Sequence, residues 1–155
     1  DREIIDEVAY FNVEPFKPEL TYPLEEVFVT QDWGERPEYY KQFGWKFHEA
    51  IDYRTKTKKN PDGIGTEILA MHDGRISRLW KNKYSGNCLE LKGEKFSTIY
   101  AHLSEYIYTT GEDVKQGQVI ALSGNSGLSS TAAHLHIELH EDGRRVDPNK
   151  YLPKV

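Results

Sequence analysis

The sequence carries six histidines in 155 residues, and two of them stand one residue apart in the run His134-Leu135-His136-Ile137-Glu138-Leu139-His140. Strict alternation of polar and apolar residues is the period of a β-strand with one buried face. Leu135, Ile137 and Leu139 would face a core, and His134, His136, Glu138 and His140 would share the other side. Imidazoles at such i and i+2 positions lie roughly 7 Å apart along a strand. One can then bind a metal while the other reaches a substrate held on it. Three further groups lie far away in sequence: His48 and Asp52, spaced as His-x-x-x-Asp, and His102 in Tyr100-Ala101-His102-Leu103. Zinc in hydrolytic sites takes three protein ligands from His and carboxylate and keeps a fourth position for water. Three of these five side chains would suffice, leaving two to handle protons. Spacing alone does not say which three.

The elements that must position them read as short strands joined by tight turns. Val27 to Thr30, Thr66 to Ala70, Gly74 to Trp80, Asn87 to Lys92, Phe96 to Ala101, Gln118 to Leu122 and 134 to 140 have strand character. Asp73-Gly74, Ser85-Gly86, Gly111 and Gly117 punctuate them. Glu38 to Phe43 suits one helical turn before Gly44. No 12-residue helical pattern and no internal repeat is present, so the expected fold is mainly β and antiparallel, in a single domain. Residues 1–26 hold eight acidic against two basic side chains and are interrupted by Pro15, Pro18 and Pro23. They are expected to form an N-terminal arm packing on a domain that spans 27–155.

Composition narrows the function. At 37% hydrophobic and 29% charged, the chain is of ordinary globular type. A net charge of −5 argues against nucleic acid as a partner, since phosphate recognition needs a concentrated basic surface. Cys88 is the sole cysteine, which rules out an internal disulfide and a multi-cysteine zinc site. No run of 18 apolar residues suggests a transmembrane segment. The chain begins at Asp1 rather than Met, and a trimmed or processed fragment is one expectation.

Taken in order, Phe47-His48-Glu49-Ala50-Ile51-Asp52, Tyr100-Ala101-His102-Leu103, Val114-Lys115-Gln116-Gly117-Gln118-Val119-Ile120 leading to Ser123-Gly124-Asn125-Ser126-Gly127, and His134-Leu135-His136-Ile137-Glu138 resemble the M23 family of zinc metallopeptidases. These are the lysostaphin-like and LytM-like peptidoglycan hydrolases. The likeness runs from about Val27 to Leu152 and takes in Asp147-Pro148. It implies the duplicated-hybrid-motif type of β fold, with long loops around a groove, and one Zn2+ per chain held by His48, Asp52 and His136. His102 and His134 would line the catalytic water and the scissile carbonyl. The implied activity is a metal-activated endopeptidase, a hydrolase of peptidoglycan stem or cross-bridge peptides. A monomer in the cell envelope or outside the cell is expected, a phage lysin being one such setting. Two rival readings are a catalytically silent LytM-like module that activates wall hydrolysis and a zinc peptidase acting on a non-wall peptide.

Some features depart from the family pattern. Relatives often carry Gly where this chain has Ala50, and Gly-Pro where it has Ala132-Ala133. Alanine would be strained if the backbone there needed positive φ, and a slightly different turn is expected instead. The stretch 54–63 holds Arg54, Lys56, Lys58 and Lys59 and is expected to protrude beside the site, where it could meet anionic wall polymer or substrate carboxylates. His72, just before a turn, is expected at the surface, and both it and His140 are excluded as ligands. Glu138 could orient a ligand imidazole or be a solvated strand-end carboxylate. The aromatics Tyr10, Phe11, Trp33, Tyr39, Tyr40, Trp45 and Phe47 would pack a wall or line a groove for an extended peptide.

Overall fold

A computed structural model describes residues 17–154. Ten strands form one continuous antiparallel sheet: β1 (Val29–Gln31), β2 (Ile51–Arg54), β3 (Glu67–Leu69), β4 (Gly74–Asn82), β5 (Gly86–Lys92), β6 (Ser97–Tyr106), β7 (Asp113–Val114), β8 (Val119–Ser123), β9 (His134–Glu141) and β10 (Arg144–Val146). The main path runs β1-β2-β9-β6-β5-β4-β7, with β10 paired to β9, and β8 paired to both β3 and β6. Helical structure among the described residues is slight: a turn of α-helix, α1 (Pro37–Tyr40), and 3-10 turns at Lys41–Phe43 and Pro148–Lys150. The mainly β, antiparallel expectation therefore describes the fold.

The two strands at the centre of the argument obey the period-2 rule. In β9, Leu135, Ile137 and Leu139 are fully buried, and in β2 so are Ile51 and Tyr53. They join Ile68, Ile76, Leu89, Leu91, Tyr100, Leu103 and Ile120 in one core. Each such aliphatic side chain contributes about 1.5–3 kcal/mol when removed from water. The polar phenol of Tyr100 is tolerated there because its oxygen accepts the Met71 backbone N–H at 2.9 Å. Of the stretch expected to be an arm, residues 1–16, including Tyr10 and Phe11, lie outside the described residues. In its described remainder, Leu20 and Leu24 belong to the core.

The strands missed by sequence reasoning are short. β2, which carries Asp52, has four residues; of the other two, β7 has two residues and β10 has three. β10 is a hairpin return from β9: Asp142 and Gly143 both take positive φ, 53° and 74°, as a two-residue Asp-Gly hairpin turn requires. That dipeptide was readable, and it brings Arg145 opposite His140. Ala50, Ala132 and Ala133 do not occupy the positive-φ region, so alanine is unstrained at all three. His72 overturns an expectation. It is 5% exposed, its Nδ1 paired with the Asp73 carbonyl at 2.8 Å and its Nε2 with the Thr98 hydroxyl. With a partner at each nitrogen, the ring can be buried without an orphaned polar atom.

Candidate metal and catalytic site

The register of β2 against β9 places Asp52 opposite His136 and Arg54 opposite His134. All four side chains point away from the core, because their neighbours Ile51, Tyr53, Leu135 and Ile137 fill it. β6 flanks β9 on its other side, with Ala101 opposite His136. Alternation alone would turn His102 toward the opposite face. A register shift in the pairing of β5 with β6, between Asn87 and Leu89, together with φ of 62° at His102, breaks the alternation. A bulge of this kind re-aims a side chain. The His102 ring consequently sits 4.6 Å from that of His134 and 6.0 Å from that of His136, centroid to centroid. A non-glycine residue in left-handed backbone costs about 1 kcal/mol or more, and such strain gathers at functional positions. His48, at the end of the aromatic lead-in, completes the group, its ring 5.7 Å from His136.

Three of the four imidazoles are held by Nδ1 and present Nε2. His48 Nδ1 pairs with the Asp32 carbonyl at 3.1 Å, His102 Nδ1 with the Ser126 carbonyl at 2.7 Å, and His134 Nδ1 with the Ala132 carbonyl at 2.8 Å. A carbonyl only accepts, so these bonds fix the N–H on Nδ1 and leave the Nε2 lone pair free. His136 is reversed: Nε2 lies 3.0 Å from Glu138 Oε2, and Nδ1 lies 2.8 Å from Asp52 Oδ1. Carboxylates on both sides outweigh the burial that would discharge this ring, and hold its pKa up at about 10. Burial likewise opposes the charge on Asp52, but the hydrogen bond from His136 and the closeness of the His48 ring hold its carboxyl well below the usual carboxylate range. His102 goes the other way. Burial, reinforced by repulsion from His134 and His136 and only partly offset by the Ser126 bond, lowers it to about 4, so it is neutral at neutral pH.

The donor set suits a divalent ion. His48 is 1% exposed, and its Nε2 is buried with no hydrogen-bond partner; Asp52 Oδ2 stands 3.5 Å away. An unpaired buried nitrogen is costly unless something else fills its lone pair. Ligand atoms from His48, Asp52 and His136 all lie within 4.8 Å of one another. Bonds of about 2.0–2.1 Å in tetrahedral array put ligand atoms about 3.4 Å apart, so the three can close on one ion with little movement. Two imidazoles and a carboxylate suit an ion of intermediate softness. Spacing alone had left the choice of three from five open, and the family resemblance implied these three; their ligand atoms converge, while His102 and His134 stand beside them with free Nε2 atoms.

The surroundings form walls. The Tyr40 ring lies 5.3 Å from that of His48 and stacks on Trp45 at 5.7 Å, and Trp33 meets Phe47 edge-on at 5.3 Å. Gln31 Nε2 donates to the Tyr40 oxygen at 2.5 Å, leaving the phenol's own O–H free. On the other side, Gly63 is buried in the basic loop, where a side chain would run into Thr55, Lys56 and Ala133. That loop therefore packs beside the residue preceding His134, with Lys56, Lys58 and Lys59 exposed. A concavity of about 930 Å3 lies elsewhere; it is lined by His72, Asp73, Lys17 and Gln116 among others, and none of the five side chains borders it.

The family model described as peptidase family M23 matches residues 46–148, a span containing all five side chains. The chain belongs to peptidase family M23. Among curated proteins, it is 39% identical over 88 residues to the peptidoglycan DD-endopeptidase ShyA of Vibrio cholerae, covering 56% of this chain and 20% of that one. It is 35% identical over 98 residues to the murein hydrolase activator NlpD of Escherichia coli, covering 58% and 24%. The chain thus spans about a fifth to a quarter of the length of these relatives. Among solved structures, it resembles the catalytic domain of the prophage-encoded M23 protein EnpA from Enterococcus faecalis, with a TM-score of 0.68 at 28% identity over 86% of this chain and 97% of that one. A zinc-containing peptidase from Vibrio cholerae gives 0.68 at 27% identity, over 84% and 39%. No helix among the described residues is long and apolar enough to cross a membrane.

Proposed function

We propose that this domain is a zinc-dependent endopeptidase that hydrolyses peptide bonds in the stem or cross-bridge peptides of peptidoglycan, in the cell envelope or outside the cell. The observation that carries the reading is the orphaned Nε2 of buried His48, converging with Asp52 and His136 beside two imidazoles that keep free Nε2 atoms. His48, Asp52 and His136 would hold the zinc. When bound, zinc supplies an activated water and polarises the peptide carbonyl. His102, neutral and anchored through Nδ1, offers Nε2 as the proton acceptor. His134, anchored through Nδ1, would turn Nε2 toward the developing oxyanion or the leaving amine. Tyr40, Trp45 and the exposed Tyr39 form one wall for an extended peptide, and Arg54, opposite His134, offers a cation for a substrate carboxylate.

The similarity to NlpD favours a second reading, a module that promotes wall hydrolysis by another enzyme. The presence of all five side chains supports the enzymatic one. Zinc-loaded protein incubated with purified peptidoglycan should release new amines while the sugar backbone stays intact. Binding to sacculi without amine release would favour the activator, and cleavage confined to unrelated peptides would exclude the wall substrate.

A further inference from the structure

Glu138 lies two residues beyond His136 on the same face of β9, and its carboxylate gathers three donors. His136 Nε2 stands 3.0 Å from Oε2; His140 Nε2 and Arg145 Nε stand 3.2 and 3.0 Å from Oε1. The carboxylate is only 14% exposed. Arg145 is itself held: it projects from β10, and its guanidinium carbon lies 4.5 Å from the centre of the Trp45 ring. Trp45 sits three residues before His48. A line of contacts thus joins the segment bearing one imidazole of the cluster to the ring of another.

The consequence is a choice of ring nitrogen. Left to itself, a neutral histidine exchanges its proton between Nδ1 and Nε2, and either nitrogen can bind a metal. Glu138 accepts only, so the proton on the His136 ring that survives metal binding is the one on Nε2. Nδ1 then faces Asp52, where the cluster converges. We propose that Glu138, braced by Arg145, is a positioning residue that fixes the tautomer and ring plane of His136 so that Nδ1 is delivered to the metal. The proposal rests on His136 being a ligand. A purely structural ion network would use the same contacts, but it would leave metal affinity in the folded protein unchanged.

The test uses metal-free protein and zinc alone. Zinc dissociation constants are measured by competition with a chromophoric chelator for wild type, Glu138→Gln, Glu138→Ala, Arg145→Met and His48→Ala, beside thermal melts of each metal-free form. Removal of such a supporting carboxylate is expected to weaken zinc about 10- to 100-fold in Glu138→Ala. Glu138→Gln should lose less, because its amide oxygen still accepts from Nε2–H, and Arg145→Met should move in the same direction. The cobalt(II) forms of both Glu138 variants should show altered visible bands. Zinc affinity within twofold of wild type in folded Glu138→Gln and Arg145→Met, with unchanged cobalt bands, overturns the proposal even if Glu138→Ala fails to fold. Undiminished affinity in His48→Ala would instead overturn the ligand assignment, and absence of zinc binding in wild type would overturn both.

Discussion

Asp52 on β2 and His136 on β9 are direct cross-strand partners, and Oδ1 of the first lies 2.8 Å from Nδ1 of the second. Two of the three converging side chains are therefore placed by sheet register rather than by a loop. A slip of β2 by one residue would turn Asp52 to the core face, away from His136.

Removal of either histidine of the metal cluster should abolish loading. His48→Ala and His136→Ala are expected to fall from about one zinc per chain to a small fraction of that, with turnover lost alongside. Elemental analysis after zinc reconstitution and desalting measures this directly. Full occupancy in either variant contradicts its place among the ligands.

His102→Ala and His134→Ala should keep zinc but lose turnover by about 10²- to 10⁴-fold, the scale of a positioned proton-transfer group. Their Nδ1 atoms bond to backbone carbonyls at 2.7 and 2.8 Å, and neither belongs to the converging set. Metal content and cleavage of a cross-linked peptide, measured on the same preparations, separate the two classes of histidine. Loss of zinc from His134→Ala would move it among the ligands.

Gly86→Ala should act on catalysis without touching the site. Gly86 takes φ of 67°, and a side chain there would overlap the backbone and hydroxyl of Ser126, whose carbonyl holds His102. Displacing that carbonyl frees the ring. We expect a stability loss of about 1–3 kcal/mol and a fall in turnover with zinc retained. A variant destabilised but fully active would show that the Ser126 bond does not set the His102 position.

Acid should weaken the fold through His72. Burial lowers its pKa below the ordinary 6.5, so between the two values the unfolded chain binds more protons than the folded one. Its contribution is fully present above pH 6.5 and shrinks as pH falls below it. His72→Gln, which cannot titrate, should flatten part of the drop in urea midpoint between about pH 7.5 and about pH 5.5 in metal-free protein. An unchanged slope would assign the acid sensitivity to other groups.

Much of the fold was legible because β9 states its own geometry: three fully buried aliphatics alternate with His134, His136 and Glu138, and no competing period fits. The five candidate side chains were legible as types and spacings. What joins them was not. Which nitrogen of each ring is free depends on carbonyls of Asp32, Ser126 and Ala132, and backbone atoms leave no residue-type signal. Arg145 was missed because the strand series was closed at His140, although Asp142-Gly143 announces a hairpin. His72 was misplaced because proximity to a turn predicts exposure only on average, and Thr98, brought alongside by β6, buries it.

The backbone of His102 sets two selection pressures against each other. At φ of 62°, glycine or asparagine is the residue the chain itself prefers. Directed evolution screened for heat resistance alone would thus be drawn toward replacing it, and under the proposed function would harvest robust but inert descendants. Any campaign to toughen this domain has to score the proposed cleavage in every round, or hold this codon fixed.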